Sequence, residues 1–191
     1  MLARWVGLDL TSKGVVRAVL IGRFQPFHMG HLSAVKEILQ GFDEAIIAIG
    51  SSQFSHTFDN PFTAGERIEM IRLALKEDGQ DLARIITVTV PDIGEHRLWV
   101  ARLVAMCPRF DVAYSNNPFV RLLLEEQGIA TRGAELYNRE MLNATRIRML
   151  MAEGGDWKRY VPKSVADYID GLGGVERVRI AKSSATSALF R

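Results

Sequence analysis

Three short runs of this chain are apolar almost without interruption: RAVLIG (17–22), EAIIAIG (44–50) and RIITVTV (84–90). A strand with one wet face alternates apolar and polar residues, whereas a strand covered on both faces does not. These runs therefore predict buried strands of a parallel sheet. FDVAYS (110–115) and GIATRG (128–133) read as weaker fourth and fifth strands. Between the strands the period changes to that of a helix. HLSAVKEILQ (31–40) gathers Leu32, Val35, Ile38 and Leu39 on one face. TAGERIEMIRLALKE (63–77) opens on Thr63 with Glu66 three residues later, a reciprocal capping pattern. EHRLWVARLVAM (95–106) and NPFVRLLLEEQG (117–128) follow, the second stopping on Gly128. Strand and helix alternate from residue 17 to about 133, which predicts an α/β chain with a Rossmann-like, doubly wound parallel sheet of about five strands.

Two C-terminal helices are expected after the sheet. NATRIRMLMAEG (143–154) begins on a cap-type Asn, and KSVADYIDGLGG (163–174) lies behind Pro162. The closing AKSSATSALFR (181–191) is small and polar and is expected to fray. The pattern divides the chain into an extension over 1–16, one domain over 17–179 and a tail over 180–191.

Composition narrows the function classes. Of 191 residues, 48% are hydrophobic and 24% charged, an ordinary globular balance that argues against extensive disorder. A net charge of +2 is too small to point to nucleic acid or a membrane surface. No apolar run approaches the roughly 18 residues of a membrane span, and MLARWVGLDLTSKGV (1–15) lacks the apolar stretch of a signal peptide. The single cysteine, Cys107, sits in the apolar run WVARLVAMC and reads as a small buried hydrophobe. One cysteine builds neither a disulfide framework nor a multi-cysteine metal site, which fits a reducing cytoplasm.

The connection out of the first strand reads GRFQPFHMGH (22–31). In doubly wound sheets ligands bind at the carboxyl ends of strands, and a helix N-terminus there offers unpaired backbone N–H groups to an anion. The spacing matches neither GxGxxG nor a P-loop. His28 and His31, three apart at the start of a helix, reach one side of that helix and carry donors suited to phosphate. Other readings stay open: one imidazole as a cap, the pair as a zinc site, or an incidental surface pair. His56 and His96 add no recognised metal-ligand spacing. No Ser-His-Asp or activated-cysteine arrangement is evident, so a covalent protein intermediate is not indicated.

GRFQPFHMGH resembles the extended HxGH signature of archaeal-type nicotinamide-mononucleotide adenylyltransferases, members of the HxGH nucleotidyltransferase superfamily. IGSSQFSH (49–56), NPFTAGERIEMI (60–71), LWV (98–100), YSNNP (114–118) and GDWKRYVPKSV (155–165) resemble segments of that family in the same order. The likeness runs from about Arg17 to about Arg179. A second superfamily signature, S-x-T-x-x-R, is matched by NATRIR (143–148) at Thr145 and Arg148, with Asn143 where the family has Ser.

The resemblance implies in-line transfer of AMP from ATP to the 5′-phosphate of nicotinamide mononucleotide, giving NAD and pyrophosphate, with Mg2+ carried mainly on the ATP phosphates. It gives catalytic work to Arg23, His28, His31 and Arg148. It sets ATP against Gly22, Arg23, Phe24, Gln25, Gly30, Asn117, Thr145 and Arg148, with Arg121 a further candidate. It places the mononucleotide near Ser51, Gln53, Ser55, His56, Asp92 and Trp99, the indole stacking on the nicotinamide ring. From the residues alone, Trp99 also reads as a core side chain, Arg148 as a solvated helix charge, and Arg67 as either a helix charge or a support for the site. The resemblance further implies self-association, commonly into hexamers. Two alternatives accompany it: a superfamily transferase using a flavin mononucleotide or phosphopantetheine acceptor or a cytidylyl donor, and a nucleotide-binding regulator weakened in turnover by Asn143.

Overall fold

The apolar runs pair side by side. In the computed structural model, which describes residues 14–134 and 143–188, strands β1 (Arg17–Gly22), β2 (Glu44–Ile49), β3 (Ile85–Thr89), β4 (Val112–Tyr114) and β5 (Thr131–Arg132) form one sheet. Their order is β3-β2-β1-β4-β5, and every pairing is parallel. The order reverses between β1 and β4, which leaves a crevice at the carboxyl ends of those strands.

Helices cover both faces, as continuous apolar strands require. α1 (Met29–Gly41), α2 (Ala64–Glu77), α5 (Ala144–Glu153), α6 (Lys163–Gly171) and α7 (Gly174–Ala188) lie on one side, packed through Leu32, Val35, Ile38, Met70, Ile71, Ile147, Met151, Val165, Ile169 and Val178. α3 (His96–Met106) and α4 (Pro118–Glu125) cover the other side through Val100, Leu103 and Leu124. The expected capping pair closes the start of α2. The Thr63 backbone N–H donates to Glu66 Oε2 at 2.8 Å, and the Glu66 N–H donates to Thr63 Oγ1 at 3.2 Å.

Several boundaries differ from the sequence pattern for local reasons. β5 spans only Thr131–Arg132, because Gly128 (φ 74°) turns the chain out of α4 and the next residues form the exit loop. The stretch 163–174, expected as one helix, is broken at Gly173 (φ 64°), so that α6 and α7 meet at a corner. The tail expected to fray continues instead as helix to Ala188, with 189–191 outside the described residues. Tertiary contacts override its weak pattern. Val178 is fully buried, Lys182 Nζ donates to Glu153 at 2.8 Å, and Arg177 pairs with Glu66 at 2.7 Å. Of the proposed N-terminal extension, 1–13 lie outside the described residues, while Val16 is already tied to Asp43 by bonds of 2.8 and 2.9 Å.

The corner between α6 and α7 depends on Gly174. A Cβ there would lie 2.9 Å from Ile169 Cγ2, 3.0 Å from the Ile169 carbonyl oxygen and 3.0 Å from the Phe62 ring. Gly174→Ala is therefore expected to cost about 1–3 kcal/mol by overpacking. Gly171→Ala, which meets open space, is expected to be neutral or stabilising. Urea-unfolding midpoints of the two variants check the contrast.

Candidate active site

His28 is the N-cap of α1, with extended backbone (φ −136°), and this sets His31 in the first turn. The two imidazoles stack with centroids 3.6 Å apart and planes 21° from parallel. The His28 backbone N–H donates to His31 Nδ1 at 3.3 Å, which leaves the neutral His31 ring with its proton on Nε2. His28 Nδ1 is buried without a hydrogen-bond partner among the described residues. Phe24 and Phe27 wall the stack, their ring centroids 4.8 and 5.5 Å from that of His31. Burial pushes the His28 pKa from 6.5 down to about 4, and burial, with His28 adding, holds His31 well below its ordinary value. Both rings are neutral in the ligand-free protein at pH 7.

Arg67 decides where the loops beside this stack lie. Arg67, read from the sequence as either a helix charge or a support for the site, is fully buried. Its guanidinium faces backbone carbonyls: Nε donates to Thr63 at 3.2 Å, and one terminal nitrogen donates to Arg23 at 3.0 Å and Gly50 at 2.9 Å. The other reaches Ser51 at 3.3 Å and, more weakly, Ser52 at 3.5 Å. Burial lowers its pKa to about 10, with nearby Arg23 adding and Asp92 opposing, so it stays charged at neutral pH. It ties the loops after β1 and β2 together. Phe24 (φ 53°) and Ser51 (φ 49°) in those loops hold left-handed conformations that L-residues rarely adopt.

Arg148 is the second buried guanidinium. One terminal nitrogen donates to the Gln25 carbonyl at 2.9 Å, and the other to Asp59 Oδ1 at 3.1 Å and Thr145 Oγ1 at 3.2 Å. Burial lowers its pKa, Arg23 adds to that, and Asp59 opposes it. Asn143 caps α5, its Oδ1 accepting from the Thr145 N–H at 2.8 Å, as its cap-type character predicts. Gln25 is buried, and both ends of its amide are engaged by Phe62. Nε2 donates to the carbonyl at 2.8 Å, and Oε1 accepts from the N–H at 2.9 Å.

A cleft of about 430 Å³ opens at the carboxyl ends of β1, β2 and β4, and Gly22, Arg23, Ser51, Asp92, Trp99 and Asn117 line it. Ser51 Oγ donates to Asp92 Oδ2 at 2.6 Å, and the Gln53 amide clasps the Asp92 backbone at 3.1 and 3.0 Å. Trp99 packs against the apolar cluster under α3 and also reaches the cleft. Ser55 and His56 bond each other at 2.9 Å and are not among the cleft residues. Asn117 caps α4 through the Phe119 N–H at 3.0 Å. Arg121 lies near Gly133, outside the cleft lining. Sequence reasoning left out His96, Ser115 and Phe119, all cleft residues. The spacing of His96 and Trp99 (i, i+3) on α3 was the available signal for the first.

Residues 19–150, which carry the sheet, its crevice and the paired imidazoles of the first crossover, match the cytidylyltransferase-like family, and the chain is by class a nucleotidyltransferase. Two archaeal relatives named nicotinamide-nucleotide adenylyltransferase are similar over most of both chains. That of Pyrobaculum aerophilum is 48% identical over 166 residues, 86% of this chain and 93% of the relative. That of Archaeoglobus fulgidus is 46% identical over 167 residues, 86% of this chain and 96% of the relative. The protein belongs to the nicotinamide-nucleotide adenylyltransferase family. The fold is shared with a bifunctional NMN adenylyltransferase/ADP ribose pyrophosphatase from Francisella tularensis. That structure gives a TM-score of 0.75 at 21% identity, covering 91% of this chain and 55% of that one, so this chain spans about half its length. A second structure of that protein, complexed with AMP and a manganese ion, gives 0.71.

Because His28 titrates near 4 when folded and near 6.5 when unfolded, the unfolded chain binds a proton in that window that the folded chain refuses. Ligand-free stability is thus intact above pH 6.5 and falls as the pH drops toward 4, by on the order of 3 kcal/mol for this residue. His28→Asn is expected to lessen that dependence, leaving the share that His31 contributes, as denaturant titrations across the window will measure.

Proposed function

We propose that the protein transfers the adenylyl group of ATP to the 5′-phosphate of nicotinamide mononucleotide, releasing NAD and pyrophosphate. The observation that carries the reading is a built anion site with buried donors left over. His28 Nδ1, inside the GRFQPFHMGH loop, and Arg148 Nε, whose guanidinium bonds the Gln25 carbonyl of that loop, have no partner among the described residues.

The acceptor phosphate is already an anion at neutral pH, so the reaction needs no general base and no protein nucleophile. The protein's work is to align the reactants and to stabilise charge that builds on the α-phosphate and the departing pyrophosphate. His31 Nε2–H, His28, Arg23 and Arg148 are assigned to that charge. Hydrogen bonds to charged groups contribute roughly 1.5–3 kcal/mol each. Three that tighten only in the transition state would supply about 4–9 kcal/mol, or on the order of 10³- to 10⁶-fold in rate.

The remaining roles divide by what each side chain is already doing. Gly22, Phe24, Gln25 and Gly30 act on ATP through the loop backbone, since the Gln25 amide is occupied by Phe62. Thr145 and Asn117 are assigned to the nucleotide at the starts of α5 and α4. Trp99 faces the nicotinamide, beside Ser51 and Asp92. Gln53 acts through Asp92, which it clasps, and Ser55 and His56 close the acceptor side when it fills. Among the described residues no three His, Cys, Asp or Glu side chains converge as a metal site. Mg2+ is assigned to the ATP phosphates and water, where it would neutralise triphosphate charge.

Self-association, up to a hexamer, belongs to the same reading and is supported by Leu98, Met106, Phe119 and Leu122, large apolar side chains left exposed on α3 and α4. A cytoplasmic location is proposed from the cysteine usage. No described helix is long and apolar enough to cross a membrane. The capping bond of Asn143 supports an active enzyme over a weakened regulator, because it keeps Thr145 and Arg148 in register.

Purified protein given Mg-ATP and nicotinamide mononucleotide is expected to form NAD with equimolar pyrophosphate. Parallel reactions with flavin mononucleotide and phosphopantetheine are expected to form nothing; adenylylation of either in place of nicotinamide mononucleotide would refute the acceptor assignment. His31→Ala is expected to lower kcat on the order of 10²-fold or more with an unchanged fold, and a near-normal kcat would refute the role given to the pair.

A further inference from the structure

Arg148 is 1% exposed, while its ion-pair partner Asp59, 3.1 Å away, is 69% exposed. Asp59 sits on a turn in which Thr57 and Asn60 exchange backbone bonds of 3.2 Å in both directions. Thr57 Oγ1 accepts a third bond from the Asn60 N–H at 3.1 Å. Phe58, in the same turn, lays its ring with the centroid 5.4 Å from the guanidinium carbon. The turn thus delivers one carboxylate to the outer edge of Arg148. The inner contacts, the Gln25 carbonyl and Thr145 Oγ1, are neutral oxygens. Arg23 is the like charge acting on this group and Asp59 the opposite one.

A polyphosphate that uses Arg148 meets an anion already seated there. Two anions on one guanidinium edge repel, and the exposed one leaves for water at little cost in desolvation. We propose that Asp59 is an internal competitor for Arg148 that weakens polyphosphate binding and thereby hastens the departure of pyrophosphate; this rests on the ATP site assigned above. When the site is empty Asp59 neutralises a buried cation, and when pyrophosphate leaves it takes the edge back. Arg148 passes from one anion to the other without standing unpaired. Asp59 makes and breaks no covalent bond and sets affinity rather than chemistry.

The test measures the Kd of Mg-pyrophosphate by calorimetry, and KM for ATP and kcat in NAD formation, for the wild type, Asp59→Asn and Asp59→Glu. Asp59→Asn is expected to bind pyrophosphate roughly two- to fivefold more tightly, the range open to an exposed ion pair. Its KM for ATP is expected to fall without a rise in kcat, and Asp59→Glu to stay near the wild type. Unchanged binding in Asp59→Asn overturns the inference. Weaker binding with a raised magnesium requirement also overturns it and makes the carboxylate a metal ligand. Asp59→Ser is the second variant if Asn disturbs the turn. Wild-type protein that forms no NAD and binds no pyrophosphate would overturn the adenylyl-transfer reading and this inference with it. Pyrophosphate binding with an unaltered Asp59→Asn affinity would overturn the inference alone.

Discussion

The arrangement of the site hangs on a buried cation that, among the described residues, bonds backbone carbonyls and no carboxylate. The Arg67 guanidinium replaces its hydration with carbonyl oxygens of Thr63, Arg23, Gly50, Ser51 and Ser52. A buried charge is tolerated only when hydrogen bonds replace water, and bonds to a charged donor are stronger than neutral ones. Those oxygens belong to loops leaving two neighbouring strands, and in such loops backbone groups have no ladder to join. One side chain therefore satisfies both loops at once. It fixes where Arg23 leaves β1 and where Ser51 meets Asp92, two positions at the cleft.

A second constraint is the sign of the charge that remains. Arg23 acts as a like charge on both Arg67 and Arg148, and Asp92 and Asp59 offset it at the first and the second. The imidazole pair adds no positive charge while it is empty, because burial keeps it neutral. The ligand-free site is thus held below the repulsion that five cations would create. It keeps guanidiniums, whose geometry suits phosphate, as its permanent charges.

Much of this was legible along the chain. Continuous apolar runs gave away a sheet covered on both faces, and a Thr-x-x-Glu spacing gave away the start of α2. His28 and His31 stood out because their loop sits where doubly wound sheets bind ligands. What stayed hidden depends on contacts far apart in sequence. Arg67 reads in sequence as either a helix charge or a support for the site, and only the carbonyls of both loops decide between them. Gln25 looks like a ligand residue until its amide is found against Phe62, 37 positions away. The start of the tail reads as fraying because the helix that carries it is anchored upstream, at Arg177 and Val178, which its own small, polar composition does not reveal. Asp59 carries no motif and becomes visible only through what it faces.

Glu66 and Arg67 are consecutive, yet they serve opposite ends of the molecule. Glu66 holds Arg177 of α7 through two short bonds, 2.9 and 2.7 Å, while Arg67 holds the loops at the cleft. One turn of α2 is consequently a shared joint between the C-terminal helices and the nucleotide end of the sheet. Loosening α7 would release Arg177 from Glu66, and the neighbour of Glu66 cannot shift without releasing several carbonyls together. The C-terminal helices and the loops that face substrate should open and close as a single cooperative unit in hydrogen exchange, not as a stable core with a dispensable appendage.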